Sequence, residues 1–499
     1  MTGGNRGTRV LGTHETNVLT ALHCVNHGVH EAWEKQMNDA RRHVVIGGGL
    51  AGLAAAVWLA EAGKQVTLLE RRARLGGRTQ AMEVPEVGDI PDNGQHVVAS
   101  GYRSLFRYLE SVGTREHVEF PGGGTLRWPG GRAVMLHTKG FRAVKTLLGA
   151  HPDAGVLDRL RALRATVRLG RQALFQPADL ADITTEQWFE RVGMPAKARA
   201  ALWDWLALGI AAEPVQRESA KVFADVLATG IRIGAQDRVG VTIGYPTVDL
   251  DTLYITGAER VFEKYGVDIR FRTVARRIVI TDGLVTGVQL ADGTEIPADA
   301  VVCAVPNSRI HGLLDGLPEH AEIYAAADKL GVTPIVSTNL YLDRPLRTKS
   351  AMEALIGGTG VIDEVFDRQR MHGRTPDGAW LYCLTTSGAY EQIHKSNDEI
   401  IQEQLALIRR YYPEAETAQL VHAQVVKMPK ATFSQVLGTD GLRPDQRTSV
   451  PNLVLAGDWT RTDWSATMES AAQSAERAVA ALLDGAGSDA AGDPMKRAL

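Results

Sequence analysis

The chain has 499 residues, 44% of them hydrophobic and 23% charged, and its formal net charge is -3. This length exceeds what one hydrophobic core serves, so two domains are expected. The near-neutral charge and the lack of zinc-finger or RNA-recognition patterns argue against nucleic-acid binding. Cys24, Cys303 and Cys383 are too scattered for a disulfide framework or a C-x-x-C metal site, which predicts a reducing compartment and no metal.

The first 42 residues do not predict export. Residues 1–42 lack the continuous apolar core of a secretory signal, and no apolar run is long enough to cross a membrane. We therefore predict a flexible N-terminal extension over 1–42 and a flexible tail over 486–499. The expected location is the cytoplasm, with any membrane contact peripheral, at the inner face of the cytoplasmic membrane.

The most informative stretch runs from His43 to Glu70 and predicts a dinucleotide-binding βαβ unit. β-compatible residues lead into Gly47-x-Gly49-x-x-Gly52. In this pattern the first glycine permits a tight turn, the second admits a pyrophosphate, and the third lets the helix pack on the strand. Free N–H groups at the helix start would face the phosphates. Glu70 ends the second strand, where it can accept hydrogen bonds from a ribose.

The segment that follows narrows the choice of dinucleotide cofactor. Residues Glu70 to Arg78, with the sequence ERRARLGGR, resemble the motif that continues the first βαβ unit in FAD enzymes of the amine oxidase and carotenoid desaturase superfamily. In those enzymes the glycines, here Gly76 and Gly77, bring the backbone beside the flavin diphosphate. The arginines, here Arg71 and Arg78, offset its negative charge. The resemblance implies bound FAD.

A second cofactor motif lies near the C-terminus. The strand, turn and helix over 451–471 resemble the C-terminal FAD motif of the same enzymes. There the aspartate, here Asp458 after Gly457, hydrogen-bonds the ribityl chain, and the helix that starts near Thr467 and Met468 faces the flavin. A helix N-cap is the alternative role for Asp458. No second G-x-G-x-x-G is present, so a bound nicotinamide is not indicated and the electron donor is left open.

The order of the elements predicts an α/β fold with two domains. The first is a Rossmann-type FAD-binding domain, a doubly wound sheet with an inserted β-meander whose turns are Asp282-Gly283 and Asp292-Gly293. The second is a mixed α+β substrate domain, helical over 155–240, with strands that suit an antiparallel sheet beneath the helices. The FAD-binding domain is assigned to 43–136, 241–306 and 441–485, and the substrate domain to 137–240 and 307–440.

Two further segments are similar to the squalene-associated FAD enzymes, the hydroxysqualene dehydroxylases of hopanoid biosynthesis. They are Asp92–His96, with the sequence DNGQH, and Ser219–Leu227, with the sequence SAKVFADVL. The chain departs from that family at Asp463-Trp464-Ser465, where the family tends to have Gly-Leu-Pro, and at Ser470, where it tends to have glycine. Residues near the flavin ring are therefore expected to differ.

The resemblance implies reductive removal of the hydroxyl group of hydroxysqualene, with hydride from reduced flavin, to give squalene. Such chemistry needs a dry, apolar tunnel. It also gains from a general acid near the leaving hydroxyl, for which His96 is the candidate. A histidine that only hydrogen-bonds cofactor or backbone is an equal alternative. The other functions considered are a phytoene-type carotenoid desaturase, then a flavin amine oxidase, and a non-catalytic isoprenoid-binding flavoprotein.

A basic segment over 132–171 is the last functional signal. Apolar residues in and just after it fall near helical spacing beside a stripe of arginines. The apolar set is Val156, Leu160, Leu163, Val167 and Leu174, and the arginines are Arg161, Arg164, Arg168 and Arg171. A helix of this kind can lie in an anionic bilayer surface. Packing against the substrate domain fits the same pattern. The segment predicts peripheral membrane contact as one of two alternatives.

Overall fold

The computed structural model describes residues 42–137, 154–236, 241–357, 363–373 and 378–483. The helices within these ranges are α1 Leu50–Glu61, α2 Arg103–Ser111, α3 Val156–Phe175, α4 Thr185–Val192, α5 Asp204–Ala211, α6 Ala220–Gln236, α7 Gly257–Tyr265, α8 His320–Leu330, α9 Arg368–His372, α10 Asn397–Tyr411 and α11 Met468–Leu483. A three-residue helical turn, Ala196–Ala198, and a π-helical turn, Arg199–Trp203, lead into α5. The predicted N-terminal extension, apart from Arg42, and the predicted tail lie outside the described residues.

Within the described ranges, the strands fall into four sheets. In chain order they are β1 Arg42–Ile46, β2 Gln65–Leu69, β3 Val98–Ala99, β4 Val118–Glu119, β5 Gly123–Arg127, β6 Ala133–His137, β7 Ile243–Pro246, β8 Asp268–Arg270, β9 Ala275–Thr281, β10 Leu284–Leu290, β11 Glu295–Pro297, β12 Ala300–Cys303, β13 Thr333–Leu342, β14 Met352–Leu355, β15 Asp363–Asp367, β16 Trp380–Ser387, β17 Leu420–Thr432 and β18 Leu453–Leu455. Among the described residues, no helix is both long enough and apolar enough to cross a bilayer.

A five-stranded parallel sheet, in the order β18-β12-β1-β2-β8, forms the first unit. β12 is buried along its whole length and β1 from its second residue onward. Such continuous burial is what central strands of a parallel sheet require, because helices cover both faces. The residues of α1 from Leu50 to Ala60 are buried as well, and they share one core with the alanines of α11. The predicted Rossmann-type sheet is confirmed.

The predicted meander is present between β8 and β12. Strands β9, β10 and β11 pair antiparallel in a sheet of their own. The first turn is formed by Asp282 and Gly283, both at positive φ, as a tight hairpin turn requires. Cys303, at the end of β12, is fully buried as a small apolar residue of that strand.

The second unit has a seven-stranded mixed sheet in the order β17-β13-β16-β15-β14-β5-β6. Strand β13 pairs antiparallel with both β16 and β17. Helices α3 to α6 pack on this sheet, and the predicted aromatic anchors Trp188, Phe189, Trp203 and Trp205 lie in the shared core. The predicted antiparallel strands beneath a helical layer are therefore observed.

Two boundaries of the assigned domains differ from the observed packing. The sequence places 123–136 in the FAD-binding domain, whereas β5 pairs in parallel with β14 and joins the large sheet. It places 307–330 in the substrate domain, whereas Leu314 and Ile323 pack in one core with Ile46 of the parallel sheet. Both errors concern contacts between segments far apart in the chain, which local patterns do not encode.

Candidate functional site

The N-terminal end of the site is built from backbone. Helix α1 begins directly after Gly49, with no side-chain cap and no acidic residue in its first turn, and the residues of that turn are buried. A Cβ on Gly52 would lie 1.8 Å from the carbonyl oxygen of Gly47, so only glycine lets α1 start this close to β1. A buried, uncapped helix N-terminus offers its N–H groups to an anion. These residues fit a diphosphate.

The second pair of glycines reaches the same place. The N–H of Gly76 donates to the carbonyl of Gly48 at 2.8 Å, and Gly76 forms a bridge with Gly49. Gly77 has a φ of +61°, and a Cβ there would lie 2.9 Å from the Cα of Gly49. The structure thus brings together the glycines that the sequence selected from two separate motifs.

The glycine turn at 47–49, the start of α1 and Gly76-Gly77 together form what we call the N-terminal cradle. Glu70 hydrogen-bonds the backbone on both sides of it. Its Oε2 accepts the N–H of Gly48 at 2.9 Å, and its Oε1 accepts the N–H of Arg72 at 2.7 Å. The carboxylate thereby fixes both the glycine turn and the loop after β2. A carboxylate has room for further hydrogen bonds, so a contact with the ribose stays a prediction.

Two arginines bring positive charge near the cradle. Burial lowers the pKa of Arg71, and the nearby charges of Arg309 and Arg72 act in the same direction. Arg309 belongs to a short turn after β12. No motif in the sequence marks it, and only the parallel pairing of β1 with β12 carries its turn to this end of the sheet.

Arg78 and Asp458 join the two cofactor motifs directly. The guanidinium of Arg78 donates to both carboxylate oxygens of Asp458, at 2.6 and 3.0 Å, and to the carbonyl of Ala431 at 2.9 Å. The two motifs predict a diphosphate contact for Arg78 and a ribityl contact for Asp458, and neither motif predicts that the two residues pair. Thr467, not Asp458, caps α11, since its Oγ1 accepts the N–H of Ser470 at 3.2 Å.

Arg443 is a second cation in this region that the sequence analysis missed. Its guanidinium donates to the carbonyls of Asp458 at 2.8 Å and Trp464 at 2.7 Å, and to the hydroxyl of Ser470 at 2.8 Å. Burial lowers the pKa of Arg443 to about 10, which leaves it charged at neutral pH. Arg443 thereby stabilises the turn between β18 and α11. No recognisable sequence motif surrounds this arginine. Ser470, a departure from the resembled family, is one of its acceptors.

Glu469 attaches the C-terminal motif to α2. Its carboxylate accepts the first three N–H groups of that helix, from Arg103, Ser104 and Leu105, at 2.7 to 3.0 Å. Burial raises the pKa of Glu469 to about 7, against the opposing effect of these hydrogen bonds. The Trp464 ring meets the Tyr102 ring edge-on at 4.9 Å. The segment before α2 is thereby held against the start of α11.

That segment contains His96, the predicted general acid. Its Nδ1 lies 2.8 Å from the carbonyl of Gly94, and a carbonyl can only accept, so we assign the proton to Nδ1 and the lone pair to Nε2. Burial lowers the pKa of His96 to about 4, and the charge of Arg78 acts in the same direction. His96 is therefore neutral near pH 7. An acid role needs a proton on Nε2, which this state does not carry.

The same segment passes between the two units. A Cβ on Gly94 would lie 2.8 Å from the Oγ of Ser337 on β13, in the seven-stranded sheet. Asp92, which is 2% exposed, accepts the N–H of Leu250 at 2.9 Å. Among the described residues its other oxygen has no partner, and burial raises the pKa of Asp92 to about 7.

This arrangement matches a known family. A model described as "Flavin containing amine oxidoreductase" matches residues 50–483. The chain belongs to the flavin-containing amine oxidoreductase family. A second model, for pyridine nucleotide-disulphide oxidoreductases, matches residues 10–87, which include the βαβ unit.

Curated relatives and solved structures agree with this assignment. A protein of Synechococcus elongatus described as "Probable zeta-carotene desaturase" is 26% identical, over 89% of this chain and 98% of its own. A 15-cis-phytoene desaturase of Solanum lycopersicum is 23% identical, over 88% of this chain and 77% of its own. A structure of putrescine oxidase bound to putrescine gives a TM-score of 0.68 at 17% identity, over 89% of this chain and 99% of that chain. That similarity concerns the fold.

The predictions of an FAD-dependent oxidoreductase and of FAD itself are confirmed by the family. The structure also fits the cofactor, since the N-terminal cradle accepts a diphosphate and Asp458 lies where the second motif ends its strand. FAD supplies hydride transfer at its flavin ring. The chain's own residues order the turns around it through Glu70, Arg443 and Glu469.

Proposed function

We propose that this family member removes hydrogen from an apolar isoprenoid of the carotene class, with FAD as the hydride acceptor. The observation that carries the proposal is similarity to a zeta-carotene desaturase over 89% of this chain and 98% of the relative. Reductive dehydroxylation of hydroxysqualene, the first choice of the sequence analysis, becomes the second candidate.

The state of His96 supports this direction of reaction. Formation of a C=C bond requires the loss of a hydride from one carbon and of a proton from its neighbour. A neutral imidazole with its lone pair on Nε2 suits a proton acceptor, whereas removal of a hydroxyl group needs a donor.

The residues after His96 suit an apolar substrate. A Cβ on Gly101 would lie 3.0 Å from a methyl carbon of Ile233 and 3.6 Å from the ring of Trp464. Tyr102 and Trp464 belong to the same apolar core as Val226 and Ile233 of α6. The segment therefore runs through apolar surroundings, which favour chemistry away from water.

The second candidate rests on the resemblance of Asp92–His96 and of Ser219–Leu227 to the hydroxysqualene dehydroxylases. Polar residues of the second segment hold structure, since Ser219 donates to Asp440 at 2.7 Å and Lys221 forms an ion pair with Asp225. That segment therefore supports a shared fold more than a shared substrate.

The test is a turnover assay with two arms, read by mass spectrometry. Oxidised holoprotein with zeta-carotene and a quinone acceptor is expected to give a product that is lighter by two hydrogens. Reduced holoprotein with hydroxysqualene is expected to give no squalene. The opposite pair of results would assign the second candidate, and turnover of an amine alone would overturn both.

His96→Ala is expected to slow the desaturation by roughly 10²–10⁴-fold, the usual effect of losing an acid–base group, with FAD still bound. His311→Ala is the matched control, because this half-exposed histidine pairs with Asp328 on α8. Loss of FAD from the His96 variant would assign His96 to cofactor placement.

A further inference from the structure

Helix α3, over Val156–Phe175, carries two apolar faces. One face, formed by Ala162, Ala165, Leu169 and Ala173, is buried against the protein. The other points away from it and leaves large side chains in contact with solvent, namely Val156 at 75%, Leu160 at 57%, Leu163 at 38% and Val167 at 55% exposure. Spacings of four, three and four residues place these four side chains in one stripe.

A stripe of arginines borders the exposed apolar stripe. It consists of Arg161, Arg164, Arg168 and Arg171, all exposed. The acidic residue of the helix, Asp158, pairs with Arg161 at 3.6 Å in an exposed position, where an ion pair contributes little. The helix is thus strongly basic within a chain whose formal net charge is -3.

Helix α6 carries a further exposed apolar residue beside α3. Gly170 of α3 lies beside Ile231 of α6, since a Cβ on that glycine would be 3.7 Å from its methyl carbon. Ile231 is 37% exposed, and Ile233, two residues later, packs against Gly101 and Trp464. Helix α6 therefore contacts both α3 and, at Gly101, the segment that follows His96.

We infer that α3 docks this protein on an anionic lipid bilayer. The apolar stripe would enter the boundary between headgroups and acyl chains, and the arginines would bind the anionic headgroups. Charge decides between this occupant and a second copy of the chain. In a two-fold dimer through this face the arginine stripes would face each other and repel. The inference holds for any isoprenoid substrate, and it assigns the predicted contact to α3, which carries both stripes. Residues 138–153 of the predicted segment lie outside the described residues.

The test is sedimentation of the holoprotein with vesicles of phosphatidylcholine, with and without phosphatidylglycerol. The wild type is expected to bind the anionic vesicles and to be released by added salt. A double variant, Arg164→Gln with Arg171→Gln, is expected to bind them on the order of 30-fold more weakly, about fivefold for each arginine. A triple variant, Val156→Ser with Leu160→Ser and Val167→Ser, is expected to lose at least about tenfold.

The matched control is Phe271→Ser with Val274→Ser, because these side chains are 41% and 46% exposed on the parallel-sheet unit. Flavin absorbance and thermal unfolding of every variant should match the wild type, since the substituted side chains contact solvent. Equal sedimentation of wild type and α3 variants would overturn the inference, as would equal binding to neutral vesicles. A dimer in solution that the triple variant dissociates would assign the face to a second copy and overturn it too.

Discussion

The two ends of the cofactor site are held together by different means. At the N-terminal end, Gly48 and Gly49 meet Gly76 and Gly77 through backbone hydrogen bonds and close contacts. At the C-terminal end, charged side chains join segments that are 380 residues apart in the Arg78–Asp458 pair. Steric fit therefore governs the first end, and ion pairing with charged hydrogen bonds governs the second. Substitutions at the two ends should therefore fail in different ways.

The largest effect is expected at the steric end, from Gly52→Ala. The added Cβ would lie 1.8 Å from the oxygen of Gly47, so β1 and α1 must separate. We expect the free energy of unfolding to fall by about 3 kcal/mol or more and FAD to be lost. Urea unfolding and flavin absorbance measure both effects.

Gly209→Ala on α5 is the control for that variant, because its Cβ would meet no atom within 4 Å. The expected change is a gain of about 1 kcal/mol or less, from helix propensity. If Gly52→Ala kept full FAD and wild-type stability, the steric account of this end would be wrong.

The next largest effect is expected at the C-terminal end of the site, from Arg443→Met. The variant removes the guanidinium that donates to the carbonyls of Asp458 and Trp464. Each carbonyl keeps one hydroxyl donor, from Ser470 and Thr462 respectively, and we expect the free energy of unfolding to fall by about 2–3 kcal/mol. Arg477→Met should cost less than about 1 kcal/mol, because that guanidinium is exposed where it pairs with Asp463. Thermal unfolding with equal losses for both variants would contradict a special role for Arg443.

Glu70→Ala sharpens the comparison, because a charged side chain here serves the backbone end. It removes the acceptor of the Gly48 and Arg72 N–H groups. We expect FAD binding to weaken by roughly 1–3 kcal/mol, as for a charge-assisted hydrogen bond. Flavin titration of the apoprotein measures the change, with the exposed Glu86→Ala as control. An unchanged affinity for FAD would show that Glu70 contributes little to cofactor binding.

The smallest effect concerns pH and Asp92. Burial raises the pKa of Asp92 from 3.8 to about 7 in the folded protein, so the folded state holds this proton more tightly than the unfolded chain. The free energy of unfolding should therefore decrease as pH rises from about 4 to about 7. Asn cannot ionise, and Asp92→Asn should flatten that decrease by on the order of 1–3 kcal/mol.

Urea unfolding at several pH values measures this slope. Asp282→Asn, in the exposed hairpin turn of the meander, should leave the slope unchanged. If stability changed with pH equally in Asp92→Asn and the wild type, Asp92 would be ionised across this pH range in the folded protein.

How far the sequence predicts the site follows from the same comparison. The glycines of the βαβ unit and Gly76-Gly77 were found because their spacing directly reports a backbone requirement. Arg309, Arg443 and the contact of Glu469 with α2 were not found, because each depends on pairing between distant segments. A single arginine or glutamate in a sequence does not show which carbonyl or helix end it will meet.

The fold shows the same limit. The parallel sheet and the meander were predicted from apolar runs and Asp-Gly turns, which act over a few residues. The hairpin of β5 and β6 was assigned to the wrong unit, because its partner β14 lies more than 200 residues away in the chain. The role of His96 stays a prediction, and its protonation state depends on burial and on Arg78, which only the folded chain brings near.

The central claim, hydride transfer from an apolar isoprenoid to the bound FAD, is tested most directly by a single turnover without any other acceptor. Oxidised holoprotein is mixed anaerobically with zeta-carotene, and the product is counted by mass spectrometry. We expect one product molecule, lighter than zeta-carotene by two hydrogens, for each bound FAD. We expect His96→Ala to form this product more slowly. No such product, together with squalene formed from hydroxysqualene by the reduced protein, would contradict it.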